Sequence, residues 1–475
     1  MNANESLVRW ISTIAKPPGL VGEIAGYIVA VAPRPVHEIA LAAAIGFVAG
    51  ISGRAFNVSG TGLNQYIMVL APTGTGKEAM NRGVSKLVSA VNAASNGSDP
   101  MAKHIGPSEI RSDAALLKWL AKEPCFLSIL GEIGIRLKQM CARNAINSET
   151  SVKRVLLDVY SKSGAGEVLN AMAYSDKEKI VPVVHSPAFT MIGESTPERF
   201  YEALDESMIY EGLLPRFTII EYSGPRPELN ENHAWTMPTV ELIDRLSRLV
   251  TRVALLGSQN QTVAVAFTAE SKIRFDEFNR FCDDQINAPG ARELQRHMWT
   301  RAHVKALKLA ATVAVGMDWE NPIIDDECAM WATSLVVRDV TNIMGRFERG
   351  ETGEVAGSEE KQREAVLRCI YQFVSGPWTR TIEGYGVPAE MHAMAIFTQS
   401  LLQRRTAQLP AFKDDRIGAT NALHRAIKNL IEADEIREVP KQQLRDKFGI
   451  QPRSFILSDL QTFIEAGRIK YERPI

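Results

Sequence analysis

Residues 66–78 read Tyr-Ile-Met-Val-Leu-Ala-Pro-Thr-Gly-Thr-Gly-Lys-Glu: an apolar run, a glycine turn, then a lysine. Glycines at 74 and 76 let successive backbone amides turn toward one anion, and the adjacent lysine supplies a compact positive charge. Pro72, Thr73, Gly74, Thr75, Gly76, Lys77 and Glu78 are therefore the candidate phosphate-binding residues. The spacing follows G-x-x-x-x-G-K-[ST], with Ala71 serving as the small first residue and Glu78 as the departure, because a magnesium-ligating hydroxyl belongs at that position. The chemistry such a loop serves is binding of ATP together with Mg2+.

Hydrolysis at such a loop needs further groups at neighbouring strand ends. A second apolar run, Cys125–Leu130, ends in Gly131-Glu132, where Asp-Glu is the usual pair. Glu132 is the candidate for orienting or deprotonating water, and a carboxylate is missing at 131. The extra glutamate at 78 makes a swap the favoured expectation, with Glu78 as the Mg2+ ligand. The opposing expectation is that Glu78, with no cation between it and a triphosphate, weakens binding by repulsion. A third run, Ala188–Ile192, leads into Gly193-Glu194-Ser195-Thr196-Pro197. Ser195 or Thr196 would sense a terminal phosphate, while Thr196 equally suits a helix cap. Arg216, in Gly212-Leu213-Leu214-Pro215-Arg216-Phe217, would offset transition-state charge in a neighbouring subunit's site, with an intrachain ion pair as the alternative. Arg301 and Lys305, four apart, share one helix face, either reaching toward the nucleotide or solvated.

These residues need a scaffold, and the apolar patterning supplies one. From 63 to about 225, strands (67–70, 125–130, 188–192, 217–220) alternate with helices (77–94, 114–121, 152–160), which predicts an α/β fold with a parallel sheet. Residues 1–60 read as a helical N-terminal region and 61–237 as the P-loop ATPase core. Residues 238–350 read as a helical lid, with helices over 242–256, 270–286, 293–315 and 325–346, the last two antiparallel. The glycine-rich stretch 351–362 is a linker. Residues 363–475 read as a small winged-helix-like domain, serving DNA binding or equally protein docking, from a helix at 441–448, the Gly449 turn, a helix at 454–466 and a wing strand at 469–473.

The 475-residue chain has a net charge of −1, so no global pull toward nucleic acid or membrane is built in. Residues 361–475 nonetheless hold 18 Lys and Arg against 13 Asp and Glu, compatible with a nucleic-acid contact there. Five cysteines at irregular spacing argue against a disulfide framework or zinc ribbon and for a reducing cytoplasm. No signal peptide is recognised, and the most apolar segment, Ile39–Ile51, is too short to span a bilayer. Lys162, Lys177 and Lys179, between Tyr160 and Val181, are candidates for a DNA-contacting loop, against an ordinary solvated loop.

Pro18-Gly19-Leu20, Asn64-Gln65-Tyr66, Gly74-Thr75-Gly76-Lys77-Glu78, Gly131-Glu132, Gly193 to Glu198 and Gly212 to Phe217 occur in an order that resembles phage and prophage primase–helicase-type ATPases. The resemblance covers roughly residues 17–350. It implies a RecA/AAA+-like core, a helical lid and a homo-oligomeric ring, a hexamer, on single-stranded DNA. In it Lys77 binds phosphates, Glu132 activates water, Ser195 or Thr196 senses, and Arg216 acts in trans. It also implies tolerance of an acidic residue after the loop lysine. Family members often carry a primase domain upstream. Here about sixty residues precede the loop and no motif suits nucleotide polymerisation, so priming by this chain is not expected; a primase or another replication protein is the partner the resemblance implies. The expected function is an ATP-dependent DNA helicase or translocase. The alternative is a nucleotide-binding DNA adaptor, a loader or initiator, with little hydrolysis; a phosphotransferase lacks a visible acceptor site.

Overall fold

The computed structural model describes residues 10, 16–95, 98–141, 145, 147–170, 182–204, 206–288, 291–348, 359–413 and 418–459. The chain divides into two compact units, residues 1–352 and 353–475, the break falling inside the glycine-rich stretch.

At the centre of the first unit are four parallel strands, β1 (Tyr66–Leu70), β2 (Cys125–Leu130), β3 (Ala188–Ser195) and β4 (Phe217–Glu221), in the order β2-β3-β1-β4. Every residue of β1 is buried, as expected of a strand covered on both faces and flanked on both edges. Leu70 pairs with Ser195 on one side and with Glu221 on the other, so the carboxyl ends of β3, β1 and β4 are level. Leu130 pairs with Gly193, which brings the end of β2 to the same edge. The chain leaves β1, skips a position to form β2, returns to fill the gap with β3, and then crosses to β4. That reversal beside β1 is a topological switch point, and open parallel sheets bind ligands outside the carboxyl ends of their strands at such points.

The N-terminal helices α1 (Gly19–Val31) and α2 (His37–Ser52) belong to this core. In α2 all residues from Ala42 to Ser52 are buried, because the Ala-rich run offers an apolar surface all round. The helix α3 (Ala79–Ala94) follows the glycine turn and buries Met80, Val84, Leu87 and Val91. Its regular part starts two residues later than the periodicity predicted, leaving Lys77 and Glu78 in the turn. The divisions at 60 and 237 are not breaks in packing: one apolar cluster runs from Trp10 through the sheet to Ile343.

The expected helix over 293–315 is two helices, Glu293–Thr300 and α4 (Ala302–Met317), meeting at Arg301. The antiparallel partner of α4 is α5 (Asp326–Glu348). Lys305 is fully buried rather than solvated. Its Nζ donates to Phe217 O at 2.9 Å and to Asp339 Oδ2 at 2.5 Å, and Asp339 Oδ1 accepts from Ile219 N at 3.2 Å. The buried pair thus satisfies outward backbone groups of the edge strand β4. Burial pushes the Asp339 carboxyl up, and the Lys305 ammonium opposes it. Lys308, one turn on, donates to Asn64 Oδ1 at 2.6 Å and Tyr160 O at 3.2 Å, and burial holds its ammonium well below the usual lysine range.

The second unit has its own apolar core, built on Phe373, Phe397, Leu423, Ile427 and Phe455 among others. Its antiparallel strands Phe397–Thr398, Ser454–Leu457 and Ile436–Glu438 lie in that spatial order. Residues 454–457 are therefore a strand where a helix was expected, because Phe455 and Leu457 point into the core with the alternation of a sheet. Residues 458–459 form a turn, and the rest of that expected helix, from 460, and the wing strand at 469–473 lie outside the described residues. So do Lys177 and Lys179, while Lys162 stands 3.9 Å from Asp158. All five cysteines are buried and none is in a disulfide. Among the described residues, no helix is long and apolar enough to cross a membrane.

Candidate functional site

The glycine turn starts from a pinned point: Ala71 N donates to Ser195 O at 3.2 Å and Tyr222 N donates to Leu70 O at 2.8 Å. Thr75 Oγ1 donates to Pro72 O at 2.7 Å and closes the turn. Gly74 and Gly76 have φ of 78° and 95°, a region that side chains disfavour. A Cβ on Gly76 would lie 2.6 Å from Arg34 O, so packing against the α1–α2 corner also demands glycine there. The turn at 73–74 brings the Thr75 amide back toward Pro72 O, while the amides of Thr73, Gly74, Gly76, Lys77 and Glu78 have no backbone acceptor among the described residues. The partly buried Lys77 points its Nζ into the turn, donating to Ala71 O and Ser195 O at 3.2 Å each. A lysine ammonium held by two carbonyls beside amides without a backbone acceptor is equipped to bind a polyanion.

Glu132 lies just past the end of β2 with φ of 20°, at the border of the left-handed region where non-glycine residues are uncommon. Its Oε2 stands 3.7 Å from Arg199 Nη1, both side chains being more than half exposed. The surprise is Glu194. It is half-buried on β3, and its Oε1 lies 3.8 Å from where a Cβ on Gly131 would sit. Burial pushes its carboxyl up, Glu132 and Glu78 push the same way, and Lys77 opposes them. The place where the sequence lacks a carboxylate is thus approached by one from the next strand. Glu78 is exposed at the start of α3 and makes no capping bond with its side chain.

Ser195 is at this edge, but it offers its carbonyl to Lys77, while its buried hydroxyl sits against Gly134. Thr196 Oγ1 accepts from Arg199 N at 3.5 Å and caps the helix Pro197–Ala203. Arg216 is not brought to the others. It precedes Phe217, which pairs with Tyr66, so it enters at the amino end of the sheet, roughly 15 Å along the strand from the turn. Only 8% exposed, it donates from Nη1 to Gly212 O at 2.6 Å and from Nη2 to Ser161 Oγ at 3.4 Å, over the Tyr160 ring. These bonds hold the guanidinium within its own chain at the amino end of the sheet, away from Lys77 and Glu132, and its buried Nε has no hydrogen-bond partner among the described residues. Lys305 is likewise occupied at the amino end. Two residues near the turn escaped the sequence reading: Glu194, whose signal was an acidic residue closing a buried strand, and Arg226, which follows β4 in a stretch without regular structure. No protein-family model matches this chain, and no curated protein matches it either.

Proposed function

We propose that the first unit is a P-loop NTPase core that binds and hydrolyses ATP with Mg2+, and that the chain works as a DNA helicase or translocase of a phage or mobile-element replication system. The observation that carries the nucleotide reading is the Lys77 ammonium turned onto Ala71 O and Ser195 O in a glycine turn where the amides of residues 73, 74 and 76–78 have no backbone acceptor among the described residues. Those amides and the lysine would hold the phosphate chain. A cavity of about 550 Å³ opens beside Glu221, but Lys16, Glu38, Arg338 and Asp339 line it with the apolar residues and no residue of the glycine turn does, so it is not assigned to the nucleotide.

Among the described residues no group of three or more metal-binding side chains is found, so Mg2+ at this edge would rest on few carboxylates together with the phosphate oxygens. Glu194 is a half-buried carboxyl disfavoured in its charged form by burial and by two neighbouring glutamates, and a divalent cation relieves that cost. Glu194 and Glu78 would hold the ion, with Glu194 the better placed against Gly131. When bound, the ion neutralises charge on the outer phosphate oxygens. Glu132 would orient water or accept its proton, exchanging its contact with Arg199 as the site fills.

The helicase step rests on the motif resemblance rather than on this site. In the second unit, the spatial order of the three strands, with helices Gln399–Thr406 and Ala419–Glu432 between the first two in sequence, supports a winged-helix arrangement. In it Ala419–Glu432, not Lys441–Phe448, is the helix positioned to meet nucleic acid.

The test is nucleotide binding and ATPase rate with and without single-stranded DNA. Lys77→Ala should weaken ATP binding by about tenfold or more. Glu132→Gln should keep binding and lose about 100-fold or more in turnover. Wild-type protein that binds no ATP ends this proposal. Binding without turnover or DNA stimulation leaves the adaptor reading, which the Arg199 contact on Glu132 favours.

A further inference from the structure

After β4 the chain runs back over the α1–α2 corner, tied down at close intervals. Tyr222 OH donates to Pro225 O at 2.6 Å, and Arg34 Nη1 donates to Pro227 O at 2.8 Å. Asn230 N donates to Pro33 O at 2.9 Å, while Asn230 Nδ2 donates to Ala30 O at 2.8 Å and Ala32 O at 3.2 Å. This is the corner whose Arg34 carbonyl abuts Gly76, so strap and glycine turn share one support. Between the two tied prolines, whose rings restrict φ, stands Arg226. Its Nε and Cζ lie 3.8 and 3.9 Å from where a Cβ on Gly74 would be, against the tip of the turn. The side chain is exposed and has no hydrogen bond, ion pair or ring contact among the described residues.

We infer that Arg226 is a second cation of the phosphate site, acting in cis: its guanidinium closes over the glycine turn and donates N–H groups to the phosphate chain held on Lys77. The inference rests on the nucleotide reading above and adds to it a residue that no part of the loop pattern contains. Three features argue for it together. Arg226 approaches the turn from the side of Gly74, whereas Lys77 reaches in toward Ala71 and Ser195, so the two charges do not compete for one position. A guanidinium presents a planar fork of donors suited to two phosphate oxygens at once. The strap's anchors also remove much of the backbone freedom that ordering a loop on a ligand costs.

The experiment titrates wild type, Arg226→Ala and Arg226→Lys with MgATP, MgADP and inorganic pyrophosphate, and records the melting temperature of each ligand-free protein. The expected result is a loss of about ten- to 100-fold for all three ligands in Arg226→Ala, partial recovery in Arg226→Lys, and unchanged melting. Arg34→Ala, which frees Pro227 O, should give a smaller loss of the same kind. If wild type binds and Arg226→Ala binds equally well, the Arg226 role is overturned and the nucleotide site stands. If wild type binds none of the ligands, both are overturned. A loss in Arg226→Ala accompanied by a lowered melting temperature makes the residue structural and also overturns the inference.

Discussion

At the scale of single residues, the pairing of Leu130 with Gly193 sets Gly131 beside Glu194 on neighbouring strands. A carboxylate on either residue can serve one place, but carboxylates on both would repel. Glu194→Gln should therefore cost the nucleotide about tenfold of the affinity that Mg2+ adds, measured by titrating ATP with and without the ion, while Glu78→Ser costs less. Gly131→Asp combined with Glu194→Gln should restore most of the loss, and Gly131→Asp alone should not improve on wild type. Equal Mg2+ dependence in wild type and Glu194→Gln would return the role to Glu78. The glycine turn between β1 and α3 was legible because its signals are local: glycines, lysine and a preceding apolar run. Glu194 was not, because its meaning comes from the register of strands far apart in sequence. Arg216 was open to a sharper reading. A residue just before a parallel strand enters at the amino edge, and ligand-binding loops leave at the carboxyl edge.

At the scale of elements, the edge strand β4 explains why α4 carries lysines that no apolar pattern would predict. Lys305 and Asp339 meet its outward backbone groups, joining α4 and α5 to the sheet. This role is invisible from spacing, since lysines four apart from basic neighbours look like a solvated helix face. Removing one partner of a buried pair leaves the other charge and the strand's polar groups unmatched. Lys305→Met should destabilise the first unit by about 3–5 kcal/mol in urea denaturation. Adding Asp339→Leu should recover part of that, because two apolar side chains leave no orphaned charge. A Lys305→Met protein as stable as wild type would show that the pair is dispensable. The elements themselves were easier to see than their roles: β1 to β4 and the helices around them appear close to where periodicity puts them. Arg301 interrupts the expected 293–315 helix with no glycine or proline to announce it.

At the scale of the whole molecule, the two units have separate apolar cores, one carrying the glycine turn and Lys77 and the other the excess of basic residues. The helix Ala419–Glu432 buries Ala422, Leu423, Ala426, Ile427 and Leu430 and leaves Thr420, His424 and Lys428 exposed, a polar face able to meet a nucleic-acid backbone. Because the first unit's apolar core ends at Ile343, a chain ending at residue 352 should fold, bind ATP as tightly as the full chain and keep the unstimulated ATPase rate. Stimulation by single-stranded DNA should fall to that basal rate, and DNA affinity should drop with it. In the full chain that affinity should weaken steeply with added salt, since phosphate contacts release counterions. Truncated protein that is still stimulated by DNA would put the DNA path on the first unit and leave the second to dock a protein such as a primase. Truncated protein that fails to bind ATP would instead show that the cores depend on each other, against the division drawn by their packing.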